Sequence, residues 1–275
     1  MTIPVFESTL TCMPRLGFGT WPMRGAECER AVESALEIGY RHIDTAEMYG
    51  NEEAVGAALG ASGRSREALY LTTKVWNDKP RGVQIREAAE ASLRRLGQSY
   101  VDLYLVHWPS PQLDLPDALR ALARLREEGL ARAVGVANFP LGMLRLAVEA
   151  DIVPIACLQV EHHVFLGQQR LLDYCRSQDI ALTSYTPVAK GEVLRDAVIA
   201  GIAKKHGATP AQVALAYLLA MPGVAAIPKA ALPARQQENL EAVDLELDAK
   251  DLDALAALPK DRRLVDPDIA PDWES

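Results

Sequence analysis

Short apolar runs alternate with longer amphipathic segments along the whole chain. The short runs have the length and composition of buried strands, and we predict strands at Arg15–Gly19, Tyr40–Asp44, Leu69–Lys74, Val101–His107, Ala131–Val136, Cys157–Val160, Ala181–Tyr185 and Val224–Ile227. The amphipathic segments predict helices at Ala26–Ile38, Glu52–Leu59, Gln84–Leu96, Leu115–Glu128, Leu141–Glu149, Gln168–Ser177, Gly191–His206 and Pro210–Met221. This alternation predicts parallel strands with right-handed crossovers, and eight strands favour closure into a (β/α)8 TIM barrel.

The chain shows no shift in composition, no Ser- or Gly-rich linker and no low-complexity tract. We therefore expect residues 1–275 to form a single barrel domain that ends in an irregular tail over about 261–275. The tail is rich in Pro and Asp, and such a segment often lies over one end of a barrel. The start of the last predicted helix is well marked, because Thr209, Pro210 and Gln212 have the pattern of a capping box with a first-turn proline.

Polar side chains of chemically useful types stand at the ends of the predicted strands. They are Asp44, Lys74, His107, Asn138, Gln159, Tyr185 and Lys229. In a barrel, the carboxyl ends of the strands form the rim that carries catalytic groups. A single polar residue after a strand is often only a helix cap, but seven of them at one rim favour a functional site.

Asp44, Tyr49, Lys74 and His107 together can protonate a carbonyl oxygen. Asp44 and Lys74 are 30 residues apart and Lys74 and His107 are 33 apart, which is the length of one strand–helix unit. We expect Lys74 to lower the pKa of Tyr49 from its ordinary value of about 10, and Asp44 to keep Lys74 charged. The alternative is a structural ion pair between Asp44 and Lys74, with Tyr49 as an aromatic residue at the barrel mouth.

Charge and composition disfavour several other classes of protein. A net charge of −8 without a long basic run disfavours a nucleic-acid surface or an anionic membrane as partner. The first residues lack a secretory signal pattern, and the four cysteines form no C-x-x-C pair, so we expect free thiols and a cytoplasmic location. The segment 16–20, Leu-Gly-Phe-Gly-Thr, lacks the third glycine of a dinucleotide fingerprint, so a nicotinamide cofactor must be held in another way.

The chain resembles the aldo-keto reductases over nearly its whole length, and its tail resembles that of bacterial members. The matching segments are Gly39-Tyr-Arg-His-Ile-Asp-Thr-Ala-Glu-Met-Tyr-Gly-Asn-Glu52, Thr73-Lys74, Val101-Asp-Leu-Tyr-Leu-Val-His-Trp-Pro109, Val134-Gly-Val-Ala-Asn-Phe139, Leu158-Gln-Val-Glu161, Ser184-Tyr-Thr-Pro187 and Ile227-Pro-Lys229 followed by Arg235 and Glu238-Asn239. The resemblance implies a monomeric, NADPH-dependent reductase of small dicarbonyls or keto-sugars.

The resemblance also implies a role for individual residues. Tyr49 is the acid, and Lys74, Asp44 and His107 are its catalytic neighbours. The expected contacts to NADPH are Thr20, Asp44, Asn138, Gln159, Tyr185, Lys229, Arg235, Glu238 and Asn239. Ala137 and Ala230 stand where the family usually has serine, so the preference for NADPH depends on Lys229 and Arg235.

The rim also carries tryptophans and histidines. Trp21, Trp76 and Trp108 follow predicted strands, and we expect them to form apolar walls of a substrate pocket together with His107. No metal site is expected, because the adjacent His162 and His163 would point to opposite faces of a strand. Two alternatives are a metal-dependent barrel hydrolase that uses His42, Asp44 and His107, and a non-catalytic NADPH-binding regulator on the same fold.

Overall fold

The computed structural model describes residues 3–6 and 8–274, which contain one closed sheet of parallel strands. In chain order the strands are β1 Phe18–Gly19, β2 His42–Asp44, β3 Tyr70–Val75, β4 Val101–Val106, β5 Ala131–Ala137, β6 Cys157–Glu161, β7 Ala181–Tyr185 and β8 Val224–Ala226. Each strand pairs with the next. The Gly17 amide donates to Ala226 at 2.9 Å and the Ala226 amide donates to Arg15 at 2.8 Å, which joins β8 to β1. The predicted (β/α)8 barrel is therefore confirmed.

Helices surround the sheet. They are α1 Gly25–Ile38, α2 Glu52–Ala61, α3 Gly82–Leu96, α4 Leu115–Glu127, α5 Leu141–Glu149, α6 Gln169–Ser177, α7 Ala197–His206, α8 Pro210–Ala220, α9 Pro233–Glu241 and α10 Ala249–Ala256. Within residues 3–6 and 8–274, no helix is both long and apolar enough to cross a lipid bilayer.

The strands are buried on both faces, as parallel strands between a barrel interior and a helical layer must be. Every residue of β3 and β4 is buried. Alternate side chains belong to different clusters: Leu103 and Leu105 pack inside the barrel with Met13, whereas Tyr104 and Val106 pack in the larger cluster that includes the helices. Asp44 and Lys74 are buried at the carboxyl ends of β2 and β3.

The helix predicted from Gly191 to His206 begins later than expected. Residues 189–195 form 3₁₀ turns in which Lys190 and Gly191 have φ values of 50° and 89°, and α7 starts only at Ala197. The Asp196 carboxylate accepts hydrogen bonds from the Val198 and Ile199 amides at 2.9 and 3.0 Å, which fixes this start. The prediction was wrong because apolar residues within the turns continue the helical spacing. The helices α9 and α10 were not among those predicted, whereas the capping box at Thr209 is present at the start of α8.

The C-terminal tail crosses the rim of the barrel. The amides of Leu264 and Val265 donate to the carboxylate of Glu161, the last residue of β6, at 2.8 and 3.0 Å. Further along, the Trp273 ring packs edge-on against Trp108, with 6.0 Å between ring centroids. The tail thus covers the carboxyl ends of β4 and β6.

Candidate active site

Asp44, Lys74 and Tyr49 meet at the carboxyl ends of β2 and β3. The Lys74 ammonium donates to Asp44 Oδ1 at 2.5 Å and to the Thr45 carbonyl at 2.8 Å, and it lies 3.5 Å from Tyr49 Oη. Both members of the ion pair are buried. These three contacts match the three hydrogens of an ammonium group, so its direction is set. The expected contact between the phenol and the amine is present.

Tyr49 is held in place by a short 3₁₀ helix and by neighbouring rings. The turn Glu47–Tyr49 follows β2, and the Glu47 carboxylate accepts a hydrogen bond from the Trp76 amide at 3.1 Å. The Tyr49 ring lies 5.1 Å from the Trp21 ring and 5.5 Å from the His107 ring. The Glu47 contact joins the turn after β2 to the loop after β3, and the ring contacts extend the group to β4.

The electrostatics of Tyr49 differ from the sequence-based expectation. The ring is partly exposed, but its hydroxyl is enclosed, and burial raises the pKa of Tyr49 well above its ordinary value, with the charge of Asp44 adding to the effect. Burial also lowers the pKa of Lys74, and Asp44 opposes that change. The predicted lowering of the phenol pKa was wrong because burial, followed by the charge of Asp44, raises the pKa of Tyr49. Tyr49 therefore retains its proton at neutral pH.

His107 completes this group as a neutral ring. Burial, followed by the charge of Lys74, lowers the pKa of His107 well below its ordinary value. Its Nδ1 atom is buried and has no hydrogen-bond partner among the described residues. The Trp76 ring packs edge-on against the His107 ring, with 5.2 Å between the ring centroids. A neutral imidazole carries one N–H donor and one acceptor nitrogen, and such a ring can contact an oxygen atom of a small molecule through the N–H.

A row of amide side chains continues the site across the next strands. Gln159 donates to the second oxygen of Asp44 at 2.8 Å. The Asn138 side-chain amide donates to the His107 carbonyl at 2.8 Å and accepts from the Tyr185 hydroxyl at 2.7 Å. Asn138 has a φ of 61°, a left-handed conformation that asparagine tolerates better than most residues. The carboxyl ends of β2 and of β4 to β7 are thereby linked by hydrogen bonds.

The remaining predicted cofactor residues lie at two other places. Thr20 is buried after β1, and its hydroxyl donates to the Asp44 carbonyl at 3.0 Å. Lys229 is exposed after β8, and the exposed Arg235 in α9 forms an ion pair with Glu238 at 2.5 Å. Asn239 is buried in the same helix. The structure thus separates a buried polar group around Lys74 from an exposed basic group beyond β8.

Comparisons with known proteins agree with this geometry. Residues 15–260 match the model of the Aldo/keto reductase family. The chain is 42% identical to an aldo-keto reductase of Mycolicibacterium smegmatis (92% of both chains) and 40% identical to methylglyoxal reductase DkgB of Escherichia coli O157:H7 (95% of this chain and 99% of the relative). A crystal structure of a putative 2,5-diketo-D-gluconic acid reductase B superimposes with a TM-score of 0.96 at 38% identity, covering 100% of this chain and 98% of the other.

This chain belongs to the aldo/keto reductase family. The relationship supports carbonyl reduction as its chemistry and an oxidoreductase as its class of enzyme. Aldo-keto reductases generally use NADH or NADPH. The amide side chains of Asn138 and Gln159 and the basic group beyond β8 are therefore candidates for contacts with a nicotinamide dinucleotide.

Tryptophan rings of this aldo-keto reductase lie on the rim and on the tail. Trp21 is 45% exposed and lies beside Tyr49, and Trp76 lies beside His107. Trp108 is only 5% exposed because Trp273 covers it. The contacts of Trp273 with Trp108 and of Glu161 with the tail were not expected from the sequence. A tryptophan in a tail otherwise rich in Pro and Asp was the available signal for Trp273.

The histidines outside this group have protein partners. His42 contacts the Thr72 hydroxyl at 3.0 Å and the Pro14 carbonyl at 3.4 Å, and His163 contacts Glu161 at 3.1 Å. The ring of His162 lies 2.9 Å from the Ser184 hydroxyl. Across residues 3–6 and 8–274, no three His, Cys, Asp or Glu side chains are grouped so that they could hold a metal ion.

Proposed function

We propose that this protein reduces an aldehyde or a ketone to an alcohol, with hydride from NADPH and a proton from Tyr49. The observation that carries the proposal is the contact of the Tyr49 hydroxyl with the buried Lys74–Asp44 pair, next to a neutral His107. A protonated phenol and an imidazole on one side of a pocket suit the polarisation and protonation of a carbonyl oxygen.

The residues beside this group suit a nicotinamide dinucleotide. The amide nitrogens of Asn138 and Gln159 each carry two hydrogens, and the bonds described above use one of each. Each amide therefore has a hydrogen to donate to the nicotinamide carboxamide, and the Tyr185 ring offers a face for stacking. When bound, the reduced cofactor supplies the hydride that adds to the carbonyl carbon.

The preference for NADPH over NADH is supported by the basic group beyond β8. Lys229 and Arg235 are both exposed, and a guanidinium forms strong paired hydrogen bonds with a phosphate. Glu238 already contacts Arg235, so a bound phosphate would share that guanidinium. Glu238 and Asn239 lie on the same helix, where they could contact the adenine.

Four side chains would have separate tasks in the reaction. Hydride addition turns the carbonyl oxygen into an alkoxide, which is a stronger base than a phenolate, so Tyr49 can protonate it despite a raised pKa. Lys74 would stabilise the phenolate that is left, and Asp44 would hold Lys74 in position. His107 would orient the carbonyl oxygen, and its neutral state avoids placing a second cation beside Lys74.

The substrate class proposed is a small dicarbonyl or a keto-sugar. Relatives named for methylglyoxal and for 2,5-diketo-D-gluconic acid support this range. Trp21, Trp76 and Trp108 are proposed as the apolar walls of the pocket. We further propose a cytoplasmic monomer without a nucleic-acid or membrane partner, and the net charge of −8 disfavours binding to nucleic acid or to an anionic membrane.

The test is the turnover of Tyr49→Phe and Lys74→Met with NADPH and methylglyoxal or 4-nitrobenzaldehyde. Both variants should lose roughly 100-fold or more in kcat. Tyr49→Phe removes the general acid, whose loss costs about 10²–10⁴-fold, and Lys74→Met removes the cation that would stabilise the phenolate. NADPH binding, followed by fluorescence titration, should change little. Tyr104→Phe is a matched control, since that buried hydroxyl has no partner among the described residues and lies outside the site. Near-normal turnover of Tyr49→Phe would refute the proposal, and wild-type protein that binds NADPH without consuming it would favour the regulator.

A further inference from the structure

The turn that carries Tyr49 is tied to the next loop of the rim through one carboxylate. Glu47 opens this three-residue 3₁₀ helix, and one of its oxygens accepts a hydrogen bond from the Trp76 amide at 3.1 Å. The other oxygen forms an ion pair with Lys79 at 2.9 Å. Trp76 is the first residue after β3, and Lys79 lies in the same loop. A single side chain thus links the turn of the proposed acid to two points of the neighbouring loop.

The Tyr49 hydroxyl gains little direction from its contact with Lys74. The two groups are 3.5 Å apart, which is longer than the usual hydrogen-bond distance of about 2.7–3.2 Å. The ammonium makes shorter contacts with Asp44 and with the Thr45 carbonyl, at 2.5 and 2.8 Å. These two acceptors set the position of Lys74, so the position of the phenol depends on the turn that bears it.

The loop after β3 is held separately at its two ends. At the far end, the Asp114 amide donates to the Pro80 carbonyl at 3.2 Å, and the Gly82 amide donates to the Asp117 carboxylate at 2.8 Å. These contacts come from the start of α4. At the near end, the Trp76 ring packs against His107, and Glu47 binds the amide of the same residue. Glu47 therefore couples the position of Tyr49 to the residue that packs on His107.

This bridge is partly open to solvent. The Glu47 side chain is 20% exposed and that of Lys79 is 24% exposed. Burial lowers the pKa of Lys79, but its contacts with Asp78 and Glu47 outweigh burial and raise the pKa, so the ion pair is present at neutral pH. An ion pair at the surface contributes little to the free energy of unfolding. Loss of Glu47 should therefore change local geometry rather than prevent folding.

We propose that Glu47 is a positioning residue for carbonyl reduction, which holds the Tyr49 turn in place through the Trp76 amide. The proposed reaction needs Tyr49 and His107 to approach one carbonyl oxygen together, and their ring centroids are 5.5 Å apart. Misplacement of a reacting group by about 1 Å can cost about 100-fold in rate. This inference rests on the proposed function and adds a residue that does not touch the reacting atoms.

The first test separates the contact with Trp76 from the charge. Glu47→Ala removes both, and its kcat for 4-nitrobenzaldehyde with NADPH should fall by about 10-fold. Glu47→Gln should stay within about 3-fold of wild type, because its side-chain carbonyl still accepts from the Trp76 amide. The affinity and stoichiometry of NADPH binding, from fluorescence titration, should change by less than about 2-fold in both variants, since Glu47 is not among the proposed cofactor contacts.

Glu128→Ala is the matched control. Glu128 also forms an ion pair with an arginine, Arg86, at 2.6 Å. It follows α4 and precedes β5, so it lies at the amino end of the strands and away from the rim. Its loss should leave kcat unchanged.

The second test asks whether Glu47 acts through Tyr49. The acid is absent from Tyr49→Phe, so adding Glu47→Ala to that variant should lower the remaining kcat by less than about 2-fold. A role confined to the fold would lower kcat equally in both backgrounds and would overturn the inference. If the remaining turnover is too low to measure, the comparison of the Ala and Gln variants decides.

Two further results would overturn the inference alone. One is near-normal kcat in Glu47→Ala, and the other is a loss in Glu47→Gln as large as that in Glu47→Ala. Wild-type protein that does not reduce the aldehyde would give a different result, because it would overturn the proposed function and this inference with it.

Discussion

At the scale of the residue, burial outweighs charge around Tyr49. The hydroxyl contacts an ammonium at 3.5 Å, yet the pKa of Tyr49 is raised, first because the group is buried and then because of the charge of Asp44, which pairs with the same ammonium. Burial also has the largest effect at His107, where it lowers the pKa and so favours the neutral ring. Both groups are therefore neutral over the range in which most enzymes work.

We predict that kcat/KM for carbonyl reduction is nearly constant between about pH 6 and 9. Tyr49 has a raised pKa, so it keeps its proton until the pH exceeds that value, and reduction needs the protonated form. His107 has a lowered pKa, so it is protonated only when the pH falls below that value. The measurement is initial-rate NADPH oxidation in constant-ionic-strength buffers. An inflexion near pH 6.5 that disappears in His107→Gln would contradict the predicted neutral histidine.

At the scale of the element, the segment before α7 shows how a cap can override periodicity. Residues 189–195 extend the apolar spacing of the helix, but Lys190 and Gly191 adopt left-handed conformations. These turns hold the tail: Lys190 donates to the Leu264 carbonyl at 2.8 Å and Glu192 pairs with Arg262. The helix can start only after them, at Asp196, whose carboxylate accepts two amide hydrogen bonds.

We predict that Asp196→Ala lowers the free energy of unfolding by about 1 kcal/mol, because two amides at the start of α7 lose their acceptor. Asp196→Asn should retain most of the stability, since the side-chain carbonyl still accepts. Urea denaturation at pH 7 measures the difference. Equal stability of Asp196→Ala and wild type would show that the cap does not stabilise the helix.

At the scale of the whole molecule, closure of the barrel depends on how closely adjacent strands approach. A Cβ atom at Gly135 in β5 would lie 2.3 Å from the Cys157 carbonyl oxygen in β6 and 2.9 Å from Leu105. The neighbouring atom is backbone in a closed sheet, so it cannot move without displacing the strand. Asn138 and Gln159, which follow on these two strands, depend on this spacing.

Gly135→Ala should therefore destabilise the protein by about 1–3 kcal/mol, the usual cost of overpacking. Gly201→Ala is the matched control, because a Cβ there meets nothing within 4 Å in the helix α7. That control should stabilise the protein by up to about 1 kcal/mol. Thermal melts followed by circular dichroism would measure both, and a Gly135→Ala melting temperature equal to that of wild type would contradict the predicted close approach.

The sequence by itself determined the order of the elements and the rim. Buried parallel strands and amphipathic helices have different periodicities, so eight repeating units could be read from hydrophobic positions alone. Side chains that end consecutive parallel strands must share one rim, which is why Asp44, Lys74 and His107 could be expected to lie together. The start of α8 was also readable, because the capping box at Thr209 is a local pattern.

Only the tertiary structure decided the ionisation of Tyr49, the start of α7 and the course of the tail. The pKa of Tyr49 is raised mainly by burial, and the rings that pack against Tyr49 come from residues that follow β1 and β4, far from it in sequence. The turns before α7 and the tail bind each other across about 70 residues of chain, as the contact of Arg262 with Glu192 shows. The proximity of Arg263, Trp273 and Trp108 likewise arises because the folded barrel gives the tail a surface on which to lie.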